Sequence, residues 1–368
     1  MCLRLTQSPD HKAVSATVAS GIRSSYGFAP HPRLSSITPF EIDVNGLGGH
    51  SLPTLEELAK ASPWGDGRVT LGFAFDGFCF LPSEYLNPLM AKLAEYKIPL
   101  IQTHIWWKPG KPSMPKMLEE KGILDNRWLM SHSNMTKEDA ELYRQHGIHY
   151  SSTPSTEMQM GLAFPVICFR DDLGVKDLGS LGVDCHSNNA AFMPGEARIG
   201  LQGARAAKGQ IAEKDGKMPN KIGSTVEEAF NLATIRGAYA MKMEKQIGSI
   251  SEGKFADLVI FDANSPSMIC GALHDPVAAI ILHSSPADID TVIVDGIVRK
   301  QSGKLLDVAL DDVGKQLVGK DSLTWKDVAQ NLIRTRARIQ RETEKIDYVD
   351  GKQKIMQSFY MTGDDFAD

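Results

Sequence analysis

The chain has 368 residues, of which 42% are hydrophobic and 23% charged, with a formal net charge of −5. That length suits one barrel-sized domain with at most a small appendage, and the acidic balance excludes the broad basic face a nucleic-acid partner needs. The five cysteines (Cys2, Cys79, Cys168, Cys185, Cys270) are widely spaced and form no CxxC pair, which argues against a zinc ribbon and suits reduced thiols in the cytoplasm. The first sixteen residues have no apolar core of signal-peptide length, and no apolar run approaches the roughly 20 residues of a membrane span. The expected location is therefore the cytoplasm, with neither membrane nor nucleic acid as partner.

In chain order, residues 11–22 predict a helix ending at Gly21, and residues 23–29 a short strand. Residues 30–66 are rich in Pro, Gly and Ser and predict loop with one helix near 55–61. Strands are then expected at 69–75, 99–105, 127–131, 149–153 and 180–184, separated by helices at 82–96, 116–121 and 136–146. Strands that alternate with helices indicate right-handed βαβ units and a parallel sheet. About six units are visible, where a closed (β/α)8 TIM-type barrel needs eight.

After residue 220 the pattern changes. Residues 224–242 predict one amphipathic helix capped by Thr225, residues 256–261 and 291–294 predict strands, and Asp295-Gly296 is a hairpin signal. Residues 325–347 predict a charged, solvated helix. The expected division is an incomplete (β/α) barrel over 1–222, a last barrel helix with a small β element over 223–310, and a helical tail over 311–368.

Chemistry in α/β barrels sits at the C-terminal ends of the strands. His104, His132 and Asp184 end three predicted strands. Two imidazoles and a carboxylate at one barrel mouth suit a borderline divalent cation, which makes hydroxide from bound water at neutral pH. Taken singly, each is more often a hydrogen-bonded loop anchor than a ligand. Their convergence is what favours a metal site.

The segments THIWW (103–107), LMSHSNMTKEDAEL (129–142), HYSSTPSTEMQMG (149–161) and LGVDCHSNNA (181–190) resemble the deaminase and chlorohydrolase (ATZ/TRZ-like) branch of the amidohydrolase superfamily. IGSISEGKFADLVIFD (247–262) and VIVDG (292–296) are similar to that family's C-terminal β-sandwich. The resemblance implies a metal-dependent hydrolase acting on a non-peptide C–N or a C–Cl bond of a small, cyclic nitrogen compound. It implies His104 and Asp184 as ligands of a divalent metal, zinc or else iron. Asp184 would also take a proton from the hydrolytic water, His132 would contact substrate or water, and Trp107, Ser187 and Asn188 would line the substrate. A homodimer is implied by resemblance alone.

Two departures bear on this. The family's HxH pair of strand one is absent: none of the ten histidines is separated from another by a single residue. Trp107 stands where the family's deaminases carry a proton-shuttling Glu, and an indole cannot transfer that proton. The expectation is a chain shortened at its N-terminus relative to the family, with an incomplete metal site. The alternative is a degenerate, non-catalytic relative.

Overall fold

The computed structural model describes residues 9–30, 33–36, 39–43, 51–105, 112–132, 135–162, 167–358 and 361–363. Trp106 and Trp107 lie outside them. The chain forms two compact units, residues 1–75 with 306–368, and residues 76–305.

In the first unit, α1 (Pro9–Ser20) leads into β1 (Ser24–Phe28), and a two-stranded hairpin follows, β2 (Arg33–Ser36) and β3 (Glu41–Asp43), in a stretch expected to be loop. After α2 (Ser51–Ala61) comes β4 (Val69–Ala74), which pairs in parallel with β1 from Ser24 opposite Val69 to Phe28 opposite Phe73. Alternate apolar residues of β4 are fully covered, Val69, Leu71 and Phe73 among them. The C-terminal part adds helices Asp312–Val318, Trp325–Thr343 and Tyr348–Ser358. Ser15 ties α1 to the first of these by donating to Asp311, 2.5 Å away, and the same Asp311 carboxylate caps that helix through Gly314 N–H.

The second unit starts at Asp76 and repeats one theme: α3 (Ser83–Glu95), β5 (Ile101–His104), α4 (Met114–Glu120), β6 (Trp128–Ser131), α5 (Lys137–His146), β7 (His149–Ser152), α6 (Pro154–Gln159) and β8 (Gly179–Leu181). Strands β5 to β8 are parallel. Strands pair in parallel within each unit, β1 with β4 in the first and β5-β6-β7-β8 in order in the second, the α/β architecture of a partial TIM-type barrel. Register decides which residues share the C-terminal edge: His104 is level with Ser131, Ser131 with Ser151, and Ser151 with Ser180.

Local signals explain these boundaries. Thr136 and Asp139 form a capping box that starts α5, and Gly147 ends it in the left-handed conformation at φ 65°. Pro154 occupies the first turn of α6, where its missing N–H costs nothing. The largest fully buried side chains are aromatic, Trp128, Tyr143 and Tyr150 among them. Trp128 is fully buried, meets Phe78 edge-on at 4.8 Å and donates its indole N–H to Ile123 O at 2.8 Å.

Two expectations are corrected. The helix expected over 224–242 is two helices, α8 (Val226–Leu232) and α9 (Ile235–Ala240), broken at Thr234, which sits at φ −130° and ψ −98° and turns its hydroxyl back onto Phe230 O at 2.8 Å. Thr225 does cap the first, in a box with Glu228. The longest helix, α7 (Met193–Lys214), falls where no helix was expected. Its buried face is Glu196, Ala197, Gly200, Leu201 and Ala207, too small and too polar to show an apolar period.

Beyond α9 stand β9 (Leu258–Phe261), β10 (Ile289–Val294), β11 (Ile297–Gln301) and β12 (Lys304–Leu305), an antiparallel sheet in the order β12-β11-β10-β9. Asp295 (φ 57°) and Gly296 (φ 74°) make the expected tight turn between β10 and β11. Among the described residues no helix is long and apolar enough to cross a membrane.

Candidate active site at the C-terminal edge of the sheet

His104 is the last residue of β5. Asp76, two residues past β4, receives its Nδ1 at 3.0 Å on each carboxylate oxygen and its backbone N–H at 2.9 Å on Oδ1. Those bonds raise the proton affinity of His104 above the ordinary imidazole range. Its partial burial opposes this, and the charges of Asp76 and Asp184 add to it.

His132 follows β6 by one residue, and its backbone N–H continues the sheet ladder to Ser151 O at 3.0 Å. It adopts φ 55°, and Asp184 adopts φ 57°. The left-handed region is unfavourable for residues with a Cβ, and such conformations gather at functional sites. The rings of His104 and His132 stack, with centroids 5.5 Å apart and planes at 18°. Nδ1 of His132 lies 2.9 Å from Thr153 Oγ1 and 3.7 Å from Glu157 Oε1.

Asp184 is three residues beyond β8, exposed, and acts on His104 through its charge. His186, Ser187 and Asn188 are also exposed. Ser187 donates to Cys185 Sγ at 3.2 Å, and Asn188 closes a turn onto Cys185 O at 3.0 Å. It is the next residue, Asn189, that ties this loop to α6, donating to Thr156 Oγ1 at 2.8 Å and accepting from Gln159 at 2.7 Å. Trp107 lies outside the described residues.

Sequence reasoning missed three residues here. Asp76 carried a usable signal, an Asp at the C-terminal end of an apolar strand. Glu157 and Asn189 carried none, because their value lies in what they meet across the sheet edge.

His104 and His132 are imidazoles whose Nδ1 atoms face oxygen partners, which is how a protein presents the remaining Nε2 to a metal or to water. The donor chemistry suits zinc, but the donor count does not. Among the described residues no group of three or more His, Cys, Asp or Glu is arranged to hold a metal ion, and three protein ligands are the norm for a catalytic zinc. The described residues alone therefore do not make a complete metal centre.

Residues 126–298 match the amidohydrolase family. They form an amidohydrolase family domain. Within the whole chain, 207 residues are 28% identical to the 5-methylthioadenosine/S-adenosylhomocysteine deaminase of Pyrococcus horikoshii, covering 55% of this chain and 45% of that protein. The chain spans about half the length of the curated relatives it matches. A zinc-bound adenosine deaminase from Xanthomonas campestris shares the fold with a TM-score of 0.70 and 17% identity, over 90% of this chain and 70% of that one. The zinc complex of an atrazine chlorohydrolase from Arthrobacter aurescens TC1 does so with a TM-score of 0.64 and 17% identity, over 83% and 67%.

Proposed function

We propose that this chain serves hydrolysis of a C–N or C–Cl bond in a small, planar nitrogen compound, with His104 and His132 as its working pair. The stacked histidines carry the reading. One ring is gripped by Asp76 and the other faces Thr153 and Glu157, an investment in ring orientation that a pair of loop anchors does not need. The left-handed backbone at His132 and Asp184 supports it. So do deaminase relatives and the zinc-bound chlorohydrolase of the same fold. His104 and His132 would orient and polarise the reacting group, and Asp184 would accept a proton from water. A resident zinc would supply hydroxide, and it requires donors from outside the described residues.

The test is release of ammonia or chloride from adenosine-type nucleosides, guanine and chloro-s-triazines by purified protein supplemented with zinc. Release that disappears in both His104→Ala and His132→Ala is the expected result. A second reading, a non-catalytic relative that only binds such compounds, is favoured by the shortage of metal donors among the described residues and by Trp107 in place of the deaminase Glu. No release from any compound, together with less than about 0.2 zinc per chain, would establish that second reading instead.

A further inference from the structure

Glu157 is fully buried, on α6, and has no cationic Lys or Arg partner in any contact of the described residues. A carboxylate out of water is costly unless its oxygens are satisfied. Oε1 accepts the backbone N–H of Thr153 at 2.8 Å. Oε2 has no hydrogen-bond partner among the described residues. Its charge adds to the shifts of Tyr150 and Cys168, both buried and held neutral, the phenol pushed well above 10 and the thiol to about 12, by burial first. Among the described residues, the group able to become cationic that faces Glu157 is the imidazole of His132, whose Nδ1 is 3.7 Å from Oε1.

That geometry discriminates between the two forms of the ring. Thr153 Oγ1, 2.9 Å from Nδ1, can donate or accept and so fits either. A carboxylate oxygen accepts only. If Nδ1 carried a lone pair, two negative ends would face each other in a buried site. If Nδ1 carries the proton, it points its positive end at both Thr153 and Glu157.

We propose that Glu157 is the positioning residue of His132, holding it in the form with Nδ1 protonated and the lone pair on Nε2. His104 is set in the same way by Asp76, whose two oxygens both face its Nδ1. The stacked rings then offer two Nε2 lone pairs rather than a mixture of forms. The tautomer stands independently of catalysis; its service to a reaction rests on the hydrolytic reading above.

The experiment is long-range proton–nitrogen NMR on full-length protein labelled with 15N-histidine, near neutral pH, with His132 assigned by its loss in His132→Ala. The wild-type chain is expected to show His132 protonated at Nδ1 and bare at Nε2. In Glu157→Gln, an amide able to donate to Nδ1, the Nε2–H form is expected to gain population, and Thr153→Val is expected to leave Nδ1–H dominant. A wild-type His132 protonated at Nε2 overturns the proposal and needs no variant to fold. Retention of Nδ1–H in Glu157→Gln with its loss in Thr153→Val overturns it equally, by assigning the role to the hydroxyl. If the chain turns over substrate, Glu157→Gln lowers kcat with KM little changed. Absence of turnover bears on the hydrolytic reading and leaves the tautomer result standing.

Discussion

Asp76 holds His104 by three contacts at once, both carboxylate oxygens on Nδ1 and Oδ1 also on the backbone N–H. The pair locks both the ring and the end of β5. Outer partners of this kind contribute 10- to 100-fold to metal affinity or activity. Asp76→Asn keeps the size but can present an N–H to Nδ1. It should lower hydrolysis by about that 10–100-fold while shifting the melting temperature little, because both side chains are partly exposed. Steady-state assay beside thermal melting decides the matter; unchanged turnover would remove Asp76 from the site.

His104→Ala and Asp184→Ala should each abolish any bound zinc, measured by elemental analysis of protein purified with zinc present. His149→Ala should leave zinc content unchanged, since His149 begins β7 and so lies at the opposite end of that strand from the site. The reverse pattern refutes the assignment of His104 and Asp184.

His149 offers a pH test remote from the site. Burial first, and then the charge of Lys242, push its pKa down to about 4 from 6.5. Between those values the unfolded chain takes up a proton that the folded chain refuses, so the stability from this group falls as pH drops from about 6.5 to about 4. The melting temperature should therefore decline over that window more steeply in the wild-type protein than in His149→Gln. Parallel curves would mean that His149 is solvated.

Packing at β7 and β8 makes a steric prediction. A Cβ on Gly179 would stand 2.7 Å from the hydroxyl of the fully buried Tyr150. Gly179→Ala should cost about 1–3 kcal/mol, read from denaturant unfolding. Trp128→Ala, which empties the space against Phe78 and strands Ile123 O, should cost roughly 3–5 kcal/mol. If Gly179→Ala proves neutral, the register that sets Tyr150 opposite Gly179 is wrong.

A tie between elements gives another. Glu196, buried on α7, accepts Ser155 N–H at 2.9 Å and Ser155 Oγ at 2.6 Å, fixing the start of α6. Glu196→Ala leaves a buried N–H without its acceptor and should destabilise by roughly 1–3 kcal/mol. Because α6 carries Glu157, the same variant should also loosen His132 in its NMR spectrum. A melting temperature equal to wild type would show that Ser155 finds another acceptor.

The alternating strands and helices were legible because each is a local pattern: compact apolar runs such as 69–75 and 127–131, a cap at Thr225, a turn at Asp295-Gly296. The family resemblance was legible for a related reason, since motifs are short and contiguous, and residues 126–298 bear it out. Elements whose buried face lacks large apolar residues escaped, α7 above all. The break at Thr234 escaped because nothing in an amphipathic period announces it.

Sequence alone determined the kind of sheet and which strand ends carry His104 and His132. Only the tertiary structure decided how those residues are used. Asp76 and His104 are 28 residues apart in the chain, and the stacking of His104 on His132 depends on the register of β5 with β6. Such contacts arise between strands, from parallel register and from the backbone turn at His132, and local propensity does not encode either.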